Sequence, residues 1–134
     1  MNHSNWARIA QQIIADRKRF GARPVVLVGH SLGANAAIWI AERLQRANIP
    51  VAYIATLAAT DPDPVPANVR RVDNYYFKSG GRGVKIVGDD NFSGTLRNRD
   101  LSTAEGVGHF NLDDQPAIQR ELLTNIARYA RAGS

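Results

Sequence analysis

The stretch Gly29-His30-Ser31-Leu32-Gly33 holds the residue types and spacing that could carry covalent chemistry in this chain. It follows the apolar run Val25-Val26-Leu27-Val28 and opens directly onto a helical pattern. A serine at so sharp a strand-to-helix turn sits in a strained backbone conformation that lifts its hydroxyl clear of the sheet. Glycines two positions before and after keep strand and helix from colliding. The helix start adds N–H groups and positive potential, which favour negative charge beside the serine.

A serine hydroxyl becomes a useful nucleophile only when a base takes its proton. The sequence has three histidines. His3 belongs to the terminus, and His30 is carried by the turn itself, which points it away from the hydroxyl. His109, in a loop beside Gly108 and after the last expected strand, is the candidate base. Such a base needs a carboxylate on its other ring nitrogen. Asp61 closes the strand that follows the serine's strand and is preferred, with Asp63 as the alternative. Asp113 or Asp114 reads as a helix cap, and Asp73 falls inside a strand.

These side chains must be positioned by the surrounding elements. Residues 4–20 read as an amphipathic helix with Ser4 as its cap; Trp6, Ile9, Ile13, Ile14 and Phe20 recur at helical spacing, and Gly21 ends it. Strand 25–29 is apolar enough for burial on both faces, as in a central parallel strand. Residues 32–47 form a second helix, halted by Pro50. Strand 51–57 follows and runs into a proline-rich turn at 58–66, making a right-handed crossover. Residues 70–78 form a third strand. Val84–Val87 and a short strand at 95–101 can pair as a β-hairpin, and a last helix spans about 115–131. The fold class is α/β: a small three-layer sandwich with a mostly parallel sheet.

At 134 residues the chain is expected to be a single domain, 1–134. With no cysteine, disulfides, thiolate metal sites and cysteine nucleophiles are excluded. The net charge of +5 is spread along the chain without a basic, aromatic-interleaved face, so no nucleic-acid partner is expected. Neither a signal peptide nor a transmembrane stretch is seen, and a cytoplasmic location is expected. Asp89–Asp100 has the spacing of a calcium loop, but Asp100 stands where glutamate belongs and two arginines intrude, so a turn is preferred. No metal and no cofactor are expected.

The chain order Ser31, Asp61, His109, together with the Gly29–Gly33 motif, resembles the α/β-hydrolase superfamily of serine esterases, lipases and thioesterases. The His and Leu in the motif are similar to those of lipases and esterases. The resemblance runs from about residue 5 to 131 and covers the C-terminal half of the usual fold. It implies Ser31 as nucleophile, His109 as base and acid, Asp61 as orienting acid and the Leu32 backbone N–H as an oxyanion donor. Asp63-Pro64-Val65-Pro66 is similar to the stretch bearing the acid in some lipases, which keeps Asp63 open. The implied substrate is a small-molecule acyl ester or thioester, cleaved through an acyl-serine. The strand that brings the family's second oxyanion donor has no counterpart before residue 24. One donor is worth about 3–4 kcal/mol of transition-state stabilisation. The truncation also implies an open sheet edge beside the serine's strand, to be covered by a second copy or a partner chain. A catalytically weak partner subunit is therefore the alternative reading.

Overall fold

The computed structural model describes residues 5–78, 83–101 and 116–132. The elements in chain order are α1 (Trp6–Phe20), β1 (Val26–His30), α2 (Leu32–Arg46), β2 (Tyr53–Leu57), β3 (Arg71–Tyr76), β4 (Thr95–Asp100) and α3 (Pro116–Ala132). The four strands lie in the order β1-β2-β3-β4, and every neighbouring pair is parallel. All strand C-termini therefore face one end of the sheet.

Helices cover both faces. On one, α1 and α2 bury the larger apolar cluster, including Leu27, Ile38, Leu44, Ile54 and Val72. The alanines of α2, at 34, 37 and 41, are fully buried and let that helix lie close to the strands. On the other face α3 packs over Tyr53, Leu57 and Tyr75, using Leu122 with Ile118, Ile126 and Tyr129. Asn5 occupies the N-cap position of α1; Ser4 lies outside the described residues.

Two expectations are corrected. Strand β1 is not central. It pairs with β2 alone among the described strands, and Val28, on the face away from α2, is 38% exposed. Its apolar run reflects burial against α2 on one side and only partial cover on the other. The hairpin is also absent: β4 pairs parallel to β3, and residues 84–87 are not a strand. A polar ladder explains this. Thr56, Asn74 and Asn98 sit in register across β2, β3 and β4. The Thr56 hydroxyl donates to Asn74, and the Asn74 amide donates to Asn98 and to the Val84 carbonyl. The Asn98 amide then pairs with both the N–H (2.8 Å) and the carbonyl (2.9 Å) of Ile86. A side-chain amide thus takes the place of a neighbouring strand, and segment 83–88 lies across the sheet face instead of extending it.

The opposite face carries an ionic seam. Asp73 on β3 is fully buried and accepts from the Tyr53 hydroxyl (2.7 Å) and from Arg97 Nε (2.9 Å), with Arg71 at 3.6 Å. Asn125 of α3 also donates to it, at 3.4 Å. Nearer the strand ends, Glu121 of α3 pairs with Arg99 and Arg97. Burial alone would raise the Asp73 pKa. The bonds from Arg97 and Tyr53 and the nearby Arg71 outweigh it and hold the carboxyl below its ordinary range.

A depressed carboxyl pKa contributes stability that is fully present above the unfolded-state value, about 4, and is lost as pH falls through the folded one. Asp73→Asn removes the counter-charge of the partly exposed Arg97 and Arg71 and the charged acceptor of the Tyr53 hydroxyl, and is expected to cost about 1–3 kcal/mol at pH 7. Urea unfolding at pH 7 and at pH 3 checks this: the wild type loses stability on acidification, and the variant loses markedly less.

Candidate active site

Ser31 stands between the last residue of β1 and the first of α2, with φ 58° and ψ −120°. A residue with a Cβ pays a steric cost there, of order 1–3 kcal/mol, and holds the conformation only when its surroundings enforce it. Two contacts do so. The Ser31 N–H donates to the Leu57 carbonyl (2.8 Å), extending the β1–β2 ladder by one residue. Gly29 packs so closely on the start of α2 that a Cβ there would lie 2.3 Å from the Gly33 oxygen and 2.7 Å from the Ala34 Cα. The bare glycine brings helix and strand together, and the serine takes up the resulting sharp turn.

Serine at a helix start ordinarily caps it through its side chain. Here Ser31 makes no side-chain cap bond, although its carbonyl accepts from Ala34 (3.1 Å). The first-turn N–H groups of Leu32 and Gly33 have no carbonyl one turn earlier in the helix to bond. The Ser31 N–H is engaged by Leu57, so the Leu32 N–H is the next backbone donor along the chain. The alternation along β1 directs His30 to the face opposite Gly29, and it is exposed.

The turn after β2 comes to the same end of the sheet. Among the described residues four non-glycine residues have positive φ, and three of them, Ser31, Ala58 and Asp61, gather there. Strained residues cluster where a site is held in shape. Asn35, four residues after Ser31 on α2, clamps this turn: its amide donates to the Asp61 carbonyl (2.7 Å) and its oxygen accepts from the Asp63 N–H (2.8 Å). Asp61 is therefore held against the first turn of the helix that begins at Ser31, and it is exposed. The Asp63 carboxylate is engaged elsewhere, accepting from Trp39 Nε1 at 2.6 Å. Trp39 lies eight residues beyond Ser31, about 12 Å along a helix axis. Burial and the nearby Asp63 raise the pKa of Glu42 on the same helix.

His109 lies outside the described residues, as do Asp113 and Asp114. The residues flanking that stretch are informative. Leu101 follows β4 and is buried with Leu122 and Tyr75. At the other end of α3, Tyr129 stacks on Tyr53 at the start of β2. The first turns of α3 thus sit at the strand C-termini, and the chain leaves β4 and enters α3 at the end of the sheet where Ser31 lies.

Asn35 escaped sequence reasoning. Its signal was present in the i, i+4 spacing from Ser31, which puts both on one helix face. The larger cavity lies away from this site: it holds about 320 Å³ between the end of α1 and the start of β1. Among the described residues no group of three or more His, Asp or Glu is placed to hold a metal. No helix among them is long and apolar enough to cross a membrane.

A parallel sheet with helices on both faces, and a strained serine at a glycine-flanked turn from strand to helix, are features of an α/β-hydrolase. The family model of the thioesterase domain, within that superfamily, matches residues 1–72, and the chain belongs to this family. No curated protein and no solved structure gives a significant match. The family points to a hydrolase of the ester or thioester type.

Gly29→Ala is expected to destabilise the protein by about 1–3 kcal/mol, because the backbone it would strike cannot swing aside as a side chain can. Chemical denaturation measures the loss, and a fully stable variant would contradict the close packing.

Proposed function

We propose that the chain is a serine hydrolase that cleaves a carboxylic ester or thioester through an acyl-serine. The observation that carries this reading is the backbone of Ser31, φ 58° and ψ −120°, at the start of α2 with no capping bond from its side chain, in a chain of the thioesterase family. In this reaction the Ser31 oxygen attacks the acyl carbonyl while His109 takes its proton. The Leu32 N–H stabilises the oxyanion, and His109 returns the proton to the departing alkoxide or thiolate. Water, deprotonated by His109, then attacks the acyl-serine; the bond from the acyl carbon to the Ser31 oxygen breaks, His109 returns the proton to that oxygen and the acid is released. Asp61 orients the imidazole. Asn35 holds the backbone of both aspartates, and the engagement of the Asp63 carboxylate by Trp39 favours Asp61 over Asp63 for that role.

A second reading is supported by the unpaired side of β1: a catalytically weak subunit that completes its sheet with a second copy or another chain. Light scattering separates the two, since a monomer with robust turnover of a short-chain ester contradicts the partner-subunit reading.

A fluorophosphonate probe is expected to label the protein and to leave Ser31→Ala unlabelled; equal labelling of both would overturn the assignment. Asp61→Asn is expected to lower kcat for an ester by on the order of 10²–10⁴, while Asp63→Asn, which alters a surface bond to Trp39, changes it little. Steady-state kinetics on the two variants checks the choice, and the reverse order would move the acid to Asp63.

A further inference from the structure

The end of the sheet opposite Ser31 holds two adjoining cavities whose walls both mix apolar residues with arginines. The larger, about 320 Å³, is lined by Ile13, Phe20 and Val26 among others. The smaller, about 150 Å³, has Arg17, Arg23 and Arg70 in its wall and no acidic residue. Arg17 and Arg23 line both, together with Pro24 and Val25, so the two spaces adjoin, with Ile13, Phe20 and Val26 on the larger side and Arg70 on the smaller. The three arginines come from separate parts of the chain: the last turn of α1, the loop before β1 and the approach to β3.

No described carboxylate pairs with them. Among the described residues the arginine–carboxylate pairs gather on Asp73 and Glu121, and none involves Arg17, Arg23 or Arg70. Asp16 is on the wall of the larger cavity and accepts from Gln12 (2.9 Å). The guanidinium groups of Arg19 and Arg23 each lie 5.2 Å from the ring centre of Phe20, which remains 54% exposed. A large aromatic left in solvent under two cations, continuous with an apolar strip of Ile13 and Val26 in the same cavity wall, fits a ligand that is apolar along its length and negative at its end. The larger volume falls in the usual range for small-molecule sites, about 300–1,000 Å³. Guanidinium forks match carboxylate and phosphate oxygens.

The geometry points to a binding site for an amphiphilic anion: an acyl chain along Ile13, Phe20 and Val26, with a carboxylate or phosphate head among Arg17, Arg23 and Arg70. The site stands apart from the serine, so it is independent of the proposed hydrolysis. A free amphiphile is its ligand, because the cavity is sized for one chain.

Titration with decanoate below its micelle concentration, followed by amide NMR, tests this. Decanoate is expected to bind saturably, at least tenfold more tightly than acetate or decanol, and to shift resonances of residues 13–26 and Arg70. Decyl phosphate is expected to behave alike. Arg23→Gln and Arg70→Gln, both at exposed positions, are each expected to weaken decanoate at least fivefold and to leave decanol unchanged. Ser31→Ala retains full binding, so the result can be read whether or not the chain hydrolyses esters. Shifts centred on residues 31–35, equal affinity for decanoate and decanol, or indifference to both arginine variants would overturn the site. So would binding to phosphatidylglycerol vesicles without saturable binding of free decanoate.

Discussion

The close approach of Gly29 to the first turn of α2 is the constraint on which the rest of the structure depends. Strand and helix meet where a single methyl group would lie 2.3 Å from a backbone oxygen. That contact fixes the angle between β1 and α2, and the angle forces Ser31 into positive φ. The buried alanines of α2 continue the close packing down the helix. The cost of the strained serine is met by the apolar cluster that α1 and α2 bury against the strands.

From that turn the site extends by backbone recognition more than by charge. Asn35 reads the turn after β2 as a peptide would, donating to one backbone group and accepting from another. Asn98 does the same to Ile86 across the sheet. Both fasten segments that lie outside the four strands and meet each other at a parallel bridge between Val65 and Gly88. Charge organises the other face, where Asp73 and Glu121 tie α3 to β3 and β4. Helix α3 follows the stretch bearing His109, so this seam fixes where that stretch ends.

The parts of this arrangement that are local in sequence were legible there. Glycine spacing around Ser31, the apolar runs of β1 and β2, and the stripes of the helices have short-range causes, and their elements stand within a residue or two of expectation. The parts that depend on distant partners were not. The four apolar residues before Gly29 imply a strand buried on both sides, yet β1 lies at the edge of the described sheet with Val28 partly bare; the open edge followed from the family resemblance and not from the apolar run, because edge or centre is decided by what pairs beyond it. Residues 84–87 alternate like a strand, yet the amides of Asn74 and Asn98 capture their backbone. Of the site, the serine's geometry was legible, whereas the commitment of Asp63 to Trp39 needed the fold to reveal it.

The central claim is that the strained hydroxyl of Ser31 becomes acylated. Rapid-quench mass spectrometry of the protein mixed with a p-nitrophenyl acyl ester measures this most directly. The account predicts a burst of one p-nitrophenol per active chain and an acyl adduct on the peptide containing Ser31. Turnover without burst or adduct, persisting undiminished in Ser31→Ala, would contradict it.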